Sequence, residues 1–266
     1  MKLNSLSLQT NMIFARNESE IIERESYIVV KTLSNPGFHW GNYLIFKKAP
    51  VEGDIVNWMN IFERKMSHYK EFKHYVFAWD ELSEPRSEEY LTHDFELQKS
   101  VSLQTSTLTY PKHYNSKIIV RTLESTEDWD AATELQVAAR EERFSGEEYR
   151  EFKINQSESY KKLIKENRGA RFGAFLEGKI VADLGIYFEG DLARYQSAVT
   201  DNQYRRQGIC ATLVYESGMY ALKNWQIKTL VMEADPDYHA AKVYESVGFT
   251  PKEFSYSLYW YKHKNA

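Results

Sequence analysis

The chain has 266 residues, room for one large domain or two modest ones, and its 42% hydrophobic and 27% charged residues are ordinary globular shares that exclude disordered and fibrous readings. Thirty-four basic against 38 acidic residues leave a net charge of −4, which supplies no general field for a polyanion and disfavours nucleic-acid binding. The longest apolar runs, such as Tyr27-Ile28-Val29-Val30, fall far short of the ~20 residues of a membrane helix, and Met1 to Gln9 has no signal-peptide apolar stretch, so a cytoplasmic protein is expected. Cys210 is the only cysteine, which rules out intramolecular disulfides and cysteine-based zinc sites. Aromatic residues make up 15%, with Tyr leading, a content that suits semi-polar pockets but equally cores and interfaces.

In chain order, Tyr43 to Phe46 reads as a strand, Lys47 to Gly53 as a loop, Asp54 to Met66 as a helix and Lys73 to Ala78 as a strand. Ser87 to His93 follows as a short helix and Phe95 to Leu108 as a strand. The turn-forming stretch Tyr110 to Ser116 then marks a boundary, dividing the chain into residues 1–112 and 113–266. Beyond it come a strand at Lys117 to Thr122, a helix opening near Ser125 with a capping-box pattern, and a mostly exposed helix from Gly146 to Asn167. Three strands, Ala170 to Leu176, Lys179 to Phe188 and Leu192 to Thr200, are separated by the tight-turn pairs Glu177-Gly178 and Glu189-Gly190. A helix from about Gln207 to Asn224 carries Ser217 and Gly218 on its inward face, small enough for the helix backbone to approach a sheet. Thr229 to Ala234 is a strand, Asp237 to Val247 a short helix ending at the left-handed cap Gly248, and Phe249 to Tyr261 a long aromatic strand. The order βααβββαβαβ implies an α/β architecture.

The halves share a register. Tyr244 and Tyr90 are 154 residues apart, as are Phe249 and Phe95, while Asp235 and Asp80 differ by 155 and Val199 and Phe46 by 153. Four landmarks at a near-constant offset predict an internal repeat of domain size.

The segment Tyr204-Arg205-Arg206-Gln207-Gly208-Ile209-Cys210-Ala211 joins a strand to a helix N-terminus, where free backbone N–H groups converge and the helix dipole adds positive potential. It reads as an anion site, with Gly208 allowing close approach of a phosphate and two arginines adding charge; an isolated RR-x-G is otherwise an ordinary solvated helix start. The segment resembles the acyl-coenzyme A pyrophosphate loop of the GNAT (GCN5-related) N-acetyltransferase superfamily, Q/R-x-x-G-x-G/A, with Arg205, Gly208 and Cys210 at the first, fourth and sixth places. Cys210 departs from that pattern but is small. Downstream, Ala240 to Phe249 is similar to the family's A-x-x-x-Y-E-x-x-G-F, and Asp237 stands where many members carry Asn. The resemblance covers about Lys117 to Ala266.

It implies tandem GNAT-like folds with a mixed, mostly antiparallel sheet flanked by helices, and an acetyl-CoA cofactor. Ala198, Val199 and Thr200 would pair with the pantetheine arm, and Arg205, Arg206, Gln207, Gly208, Ile209, Cys210 and Ala211 would cradle the phosphates. Tyr244 would sit by the thioester sulfur and protonate the departing thiolate, which a phenol near 10 can do for a thiol near 8.5; by periodicity alone it is a core residue beside Ala240, Val243 and Val247. An acceptor amine near 10.4 must also lose a proton, a deficit of roughly 4.6 kcal/mol at pH 7. Glu233 is the candidate base, and alternation offers a solvent-facing strand residue instead. Asp235 and Asp237 read as caps of the following helix.

Cys210 at a helix N-terminus would have a lowered pKa, but without a His partner a nucleophile role is disfavoured. His39, His68, His74, His93, His113, His239 and His263 lack metal-site spacing, no metal is expected, and nucleotide-hydrolysis motifs are absent from the sequence. The first-half counterpart of the loop, Lys47 to Asp54, contains Pro50, Glu52 and Asp54 and lacks the glycine spacing, so this half should not bind coenzyme A. Asn35 to Asn42 reads as a packed turn or as a wall of the acceptor pocket, and similar first halves occur in some two-part GNAT proteins. The expected activity is direct acetyl transfer from acetyl-CoA to an amine, on a small molecule rather than a protein, with a homodimer open; the alternative is a non-catalytic acyl-CoA-binding or regulatory module.

Overall fold

A computed structural model of the protein describes residues 1–67 and 73–262; His68 and His263 lie outside them. The chain divides into two units, Met1–Val101 with Glu253–Ala266 and Ser102–Lys252. The turn-rich stretch expected to part the halves at 112/113 is therefore inside the second unit, and the change of unit falls within a continuous strand, Glu96–Thr105.

In the first unit, α1 (Leu6–Glu18) is capped by Ser5, whose hydroxyl accepts from the Leu8 N–H. It leads into β1 (Glu20–Glu23), β2 (Tyr27–Lys31), β3 (Asn42–Phe46), α2 (Asp54–Lys65), β4 (His74–Trp79), a 3₁₀ turn at Glu89–His93 and β5 (Glu96–Thr105). The antiparallel β1-β2-β3 ladder is followed by a parallel β3–β4 pair. Leu44, Phe46, Phe77 and Trp79 turn to the α2 face, against Trp58 and Phe62, while Tyr43, Ile45, Val76 and Ala78 turn to the α1 face, against Leu8 and Met12. Helices on both faces bury all of β3 and β4, so after Asn42 and His74 these strands read as apolar runs without alternation.

The second unit contains β6 (Ile119–Thr122), α3 (Thr126–Ala138), α4 (Gly146–Lys165), β7 (Gly169–Leu176), β8 (Lys179–Glu189), β9 (Leu192–Thr200), α5 (Ile209–Asn224), β10 (Thr229–Ala234) and α6 (Ala240–Glu245). This is the expected order, closed by β11 (Thr250–Tyr261). Ser125 and Asp128 form the capping box at α3. Glu177 and Gly178 both take positive φ in the β7–β8 turn, whereas β8 runs on through Glu189 and the next turn is Gly190-Asp191. β6 to β9 form an antiparallel ladder and β9 pairs parallel with β10. A Cβ on Gly218 would stand 2.1 Å from the Tyr195 hydroxyl, which donates to the Val214 carbonyl at 2.8 Å, so α5 lies on the sheet as its small residues require.

The repeat is visible in element order: β1-β2-β3-α2-β4-turn-β5 matches β7-β8-β9-α5-β10-α6-β11, with α1 in the place of α4 and no counterpart of β6 and α3. Asp80 and Asp235 directly follow β4 and β10, and Phe95 and Phe249 directly precede the last strands. From Glu253 onward β11 belongs to the first unit, pairing antiparallel with β4 from Ser257↔Ala78 to Tyr261↔His74.

Candidate active site

Two strands that begin as neighbours part company in the second unit. The parallel register of β9 and β10 is Thr229↔Leu192, Leu230↔Ala193 and Val231↔Arg194. Beyond it β9 continues to Thr200 and β10 to Ala234 with no further paired register among the described residues. A bulge helps: the β8–β9 register jumps between Asp183↔Val199 and Gly185↔Gln196, and Ser197 takes φ 53°. Gln136 on α3 holds that geometry, its amide donating to the Ser197 carbonyl at 2.7 Å and to Asp183 Oδ1 at 2.8 Å, while Asp183 Oδ2 is ion-paired with buried Arg171. Ala198 is exposed, and Val199 and Thr200 are half-buried on the parting edge.

That edge runs into the loop that opens α5. Asp201 accepts from the Gln203 N–H at 3.0 Å, residues 202–204 make a 3₁₀ turn, and Arg206 (φ 61°) and Gly208 (φ 75°) turn the chain into α5. Arg205 and Arg206 are exposed. Thr212 N–H is the first to bond back, to the Gly208 carbonyl, so the N–H groups of Arg206 through Ala211 have no acceptor among the described residues. They are the donors an anion at this helix start would use. Gly208 has a second reason to be glycine, which the sequence did not reveal: a Cβ there would lie 1.9 Å from the His113 carbonyl oxygen. The 113–115 stretch braces the loop further, Asn115 donating from its side chain to the Gln207 carbonyl at 2.9 Å and from its backbone to Thr212 Oγ1 at 2.8 Å. A segment read as a linker is thus part of the site's frame.

Tyr244, on α6, is buried with its ring edge-on to Phe249. Burial, and then the neighbouring Cys210 and Tyr238, raise its phenol above the ordinary value. Cys210 corrects an expectation: its thiol is pushed up to about 11 by burial, with a Thr200 hydrogen bond only partly opposing, so desolvation outweighs the helix dipole and the thiol stays protonated at neutral pH. Glu233 lies beyond the last residue of β10 paired with β9, half-buried, with Oε1 accepting from the Ser102 hydroxyl; it is not an open surface residue. Asp235 accepts from the Asp237 N–H at 2.8 Å in a local turn, and α6 begins only at Ala240, so neither aspartate is its N-cap.

The first unit builds the same corner without an opening. Its parallel register reaches the ends of both strands, through Phe46↔Trp79, and the Asp80 N–H still bonds to the Phe46 carbonyl at 2.9 Å. Its loop N–H groups are met by the chain's own carboxylates: Ala49 by Glu81 (3.0 Å), Val51 by Asp54 (3.0 Å) and Gly53 by Glu89 (2.7 Å). Asp54 was foreseen; Glu81 and Glu89 come from beyond the helix. The 35–42 segment is a packed turn in this unit, with Asn42 donating to the Asn35 and Phe38 carbonyls and His39 stacked on His74.

The expected exposed helix α4 instead buries Lys153, Gln156, Ser159, Tyr160 and Leu163. Lys153 donates to Gln156 Oε1 at 2.9 Å beside the Arg171–Asp183 pair. Lys153 and Gln156 can be core because they satisfy each other, a pairing that hydropathy patterning does not register. Among the described residues no group of His, Cys, Asp and Glu could hold a metal ion, and no helix is long and apolar enough to cross a membrane.

Residues 129–249 match the model of the acetyltransferase (GNAT) family. Among solved structures, a functionally unknown conserved protein from Staphylococcus epidermidis ATCC 12228 is similar over 92% of this chain and 94% of its own (TM-score 0.72, 13% identity). A GCN5-related N-acetyltransferase from Kribbella flavida is similar over 98% and 93% (TM-score 0.67, 12% identity). A tandem GNAT protein from the clavulanic acid biosynthesis pathway is similar over 82% and 75% (TM-score 0.52, 11% identity). No curated protein sequence matches the chain.

Proposed function

We propose, from the premise that residues 129–249 form a GNAT-family acetyltransferase domain in a tandem GNAT fold, that this chain moves the acetyl group of acetyl-CoA to a primary amine by direct transfer in a ternary complex. The observation that carries the reading is the parting of β9 from β10 directly above a loop whose N–H groups from Arg206 to Ala211 are unspent. Such a site fits coenzyme A in two places. The free edge at Ala198, Val199 and Thr200 can take the amides of a pantetheine arm, and the loop with Arg205, Arg206 and Gly208 can take a pyrophosphate. The first unit, with a zipped corner and a loop filled by carboxylates, serves as a partner fold and binds no cofactor.

Acetyl-CoA supplies an activated thioester. In the transfer from a neutral amine, the new C–N bond forms as the C–S bond breaks; the nitrogen's proton goes to Glu233, directly or through water, and an equivalent proton reaches the departing thiolate from solvent, giving free coenzyme A and leaving Glu233 to return its proton to solvent. Tyr244 donates a hydrogen bond to the departing sulfur. Burial makes its phenol a weaker acid than in water, so its contribution is a proton shared with the developing thiolate rather than one fully given up. Free thiol release with acetyl-CoA and a panel of small amines tests this. Tyr244→Phe should lower turnover by roughly 10²-fold, within the ordinary range for a lost acid–base group, with coenzyme A affinity nearly unchanged. Cofactor binding without any amine-dependent thiol release would identify a binding module instead.

A further inference from the structure

We propose that Tyr110, set in place by Tyr114 and Tyr215, is a stacking platform for the adenine of coenzyme A, so that this chain selects the nucleotide-bearing thioester over carriers that end at phosphopantetheine. The inference rests on the acyltransferase reading above and adds a residue outside the family loop. The rings of Tyr110 and Tyr114 are stacked at 4.9 Å and 16°, and Tyr215 of α5 meets Tyr110 edge-on at 5.4 Å and 78°. Tyr114 is anchored in turn by its hydroxyl, which donates to Glu216 Oε1 at 2.9 Å. A ring recruited only to staple the segment would bury its outer face; Tyr110 is 60% exposed.

The platform lies within a nucleotide's reach of the loop that would hold its pyrophosphate. His113, whose carbonyl abuts Gly208, is three residues from Tyr110, a reach of at most about 11 Å. Tyr215 is seven residues along α5 from Gly208, about 10 Å of helix rise. Lys112 and Lys117 are exposed on the same segment, and Arg205 and Arg206 on the loop. This local cationic group sits in a chain whose net charge is −4, and it suits a ligand carrying both a pyrophosphate and a ribose phosphate. Tyrosine faces accept any base, so adenine needs no hydrogen-bond reader here.

The test is calorimetric binding of coenzyme A and of 4′-phosphopantetheine to the full chain and to its Tyr110→Ala and Tyr110→Trp variants. Stacking losses on alanine substitution predict coenzyme A binding weaker by about 10-fold in Y110A. Phosphopantetheine binding should be unchanged in Y110A, and coenzyme A affinity kept in Y110W. Equal coenzyme A affinity in Y110A, or an equal loss for both ligands, would overturn the platform while leaving the acyltransferase reading intact. A wild-type chain that binds neither ligand would overturn both.

Discussion

Removing a buried charge should make this protein more stable. Lys153 is 7% exposed on α4, and in its cluster two cations, Lys153 and Arg171, face one anion, Asp183. Burial, and after it Arg171, lower its amine from 10.5 to about 7, with Asp183 opposing. That gap of about 3.5 in pKa, at about 1.36 kcal/mol per unit, sets a ceiling of about 5 kcal/mol on the cost of keeping the lysine folded below pH 7. Lys153→Met keeps the chain length and the contacts with the Tyr149 and Phe152 rings but leaves Gln156 without its donor, a loss of about 1–3 kcal/mol. The net expectation at neutral pH is a gain of about 2 kcal/mol, or about 4–8 °C in Tm for a unit of this size. The pH signature separates this from generic repacking. Between 7 and 10.5 the unfolded chain binds a proton at this amine that the folded chain does not, so wild-type stability from this group rises with pH across that window. The variant has nothing to titrate there, and its advantage should shrink steadily from about pH 7 upward. Urea melts of both proteins at about pH 6.5, 8.0 and 9.5 measure it. A variant less stable throughout, or an advantage independent of pH, would refute the reasoning.

Gly208→Ala meets both a positive φ and the His113 carbonyl, so thermal melting should fall by at least 1–3 kcal/mol together with loss of coenzyme A binding; Arg205→Ala should weaken binding without the stability loss. Ser125→Ala removes one side of the capping box at α3 and should cost about 1 kcal/mol in urea titration, leaving coenzyme A affinity unchanged.

Much of the second unit was legible because its local signals agree with its tertiary fate. The Ser125 cap, the Glu177-Gly178 turn and the Gly218 face each specify a geometry that packing then uses. The turn through Arg206 and Gly208 into α5 agrees with the sequence signal for the same reason. The opening above it was not legible, since where β9 and β10 stop pairing depends on a bulge held by Gln136 from another element. α1 carries little periodic signal because its buried face mixes Ser7 and Thr10 with Leu8, Met12 and Ala15. Turn chemistry marks where a chain bends, and at 110–116 it bends along α5, inside the second unit. Lys153 reads as surface by residue type alone; only the ion pair behind it shows otherwise.

The return of β11 to the first unit also sets a schedule for biosynthesis. Leu258 and Tyr259 complete cores whose other members are all in place by Phe95, so the pairing Ser257↔Ala78 must close a chain separation of 179 residues. At ribosomal rates of about 5–20 residues per second, the first unit emerges and then waits roughly 8–30 s with the flank of β4 uncovered before its last strand exists. During that interval the nascent chain presents an open strand edge, the surface most prone to mispairing and most in need of a chaperone. The first unit is thus built from two stretches of chain, and its β4 edge stays open until residues far along the sequence have been made.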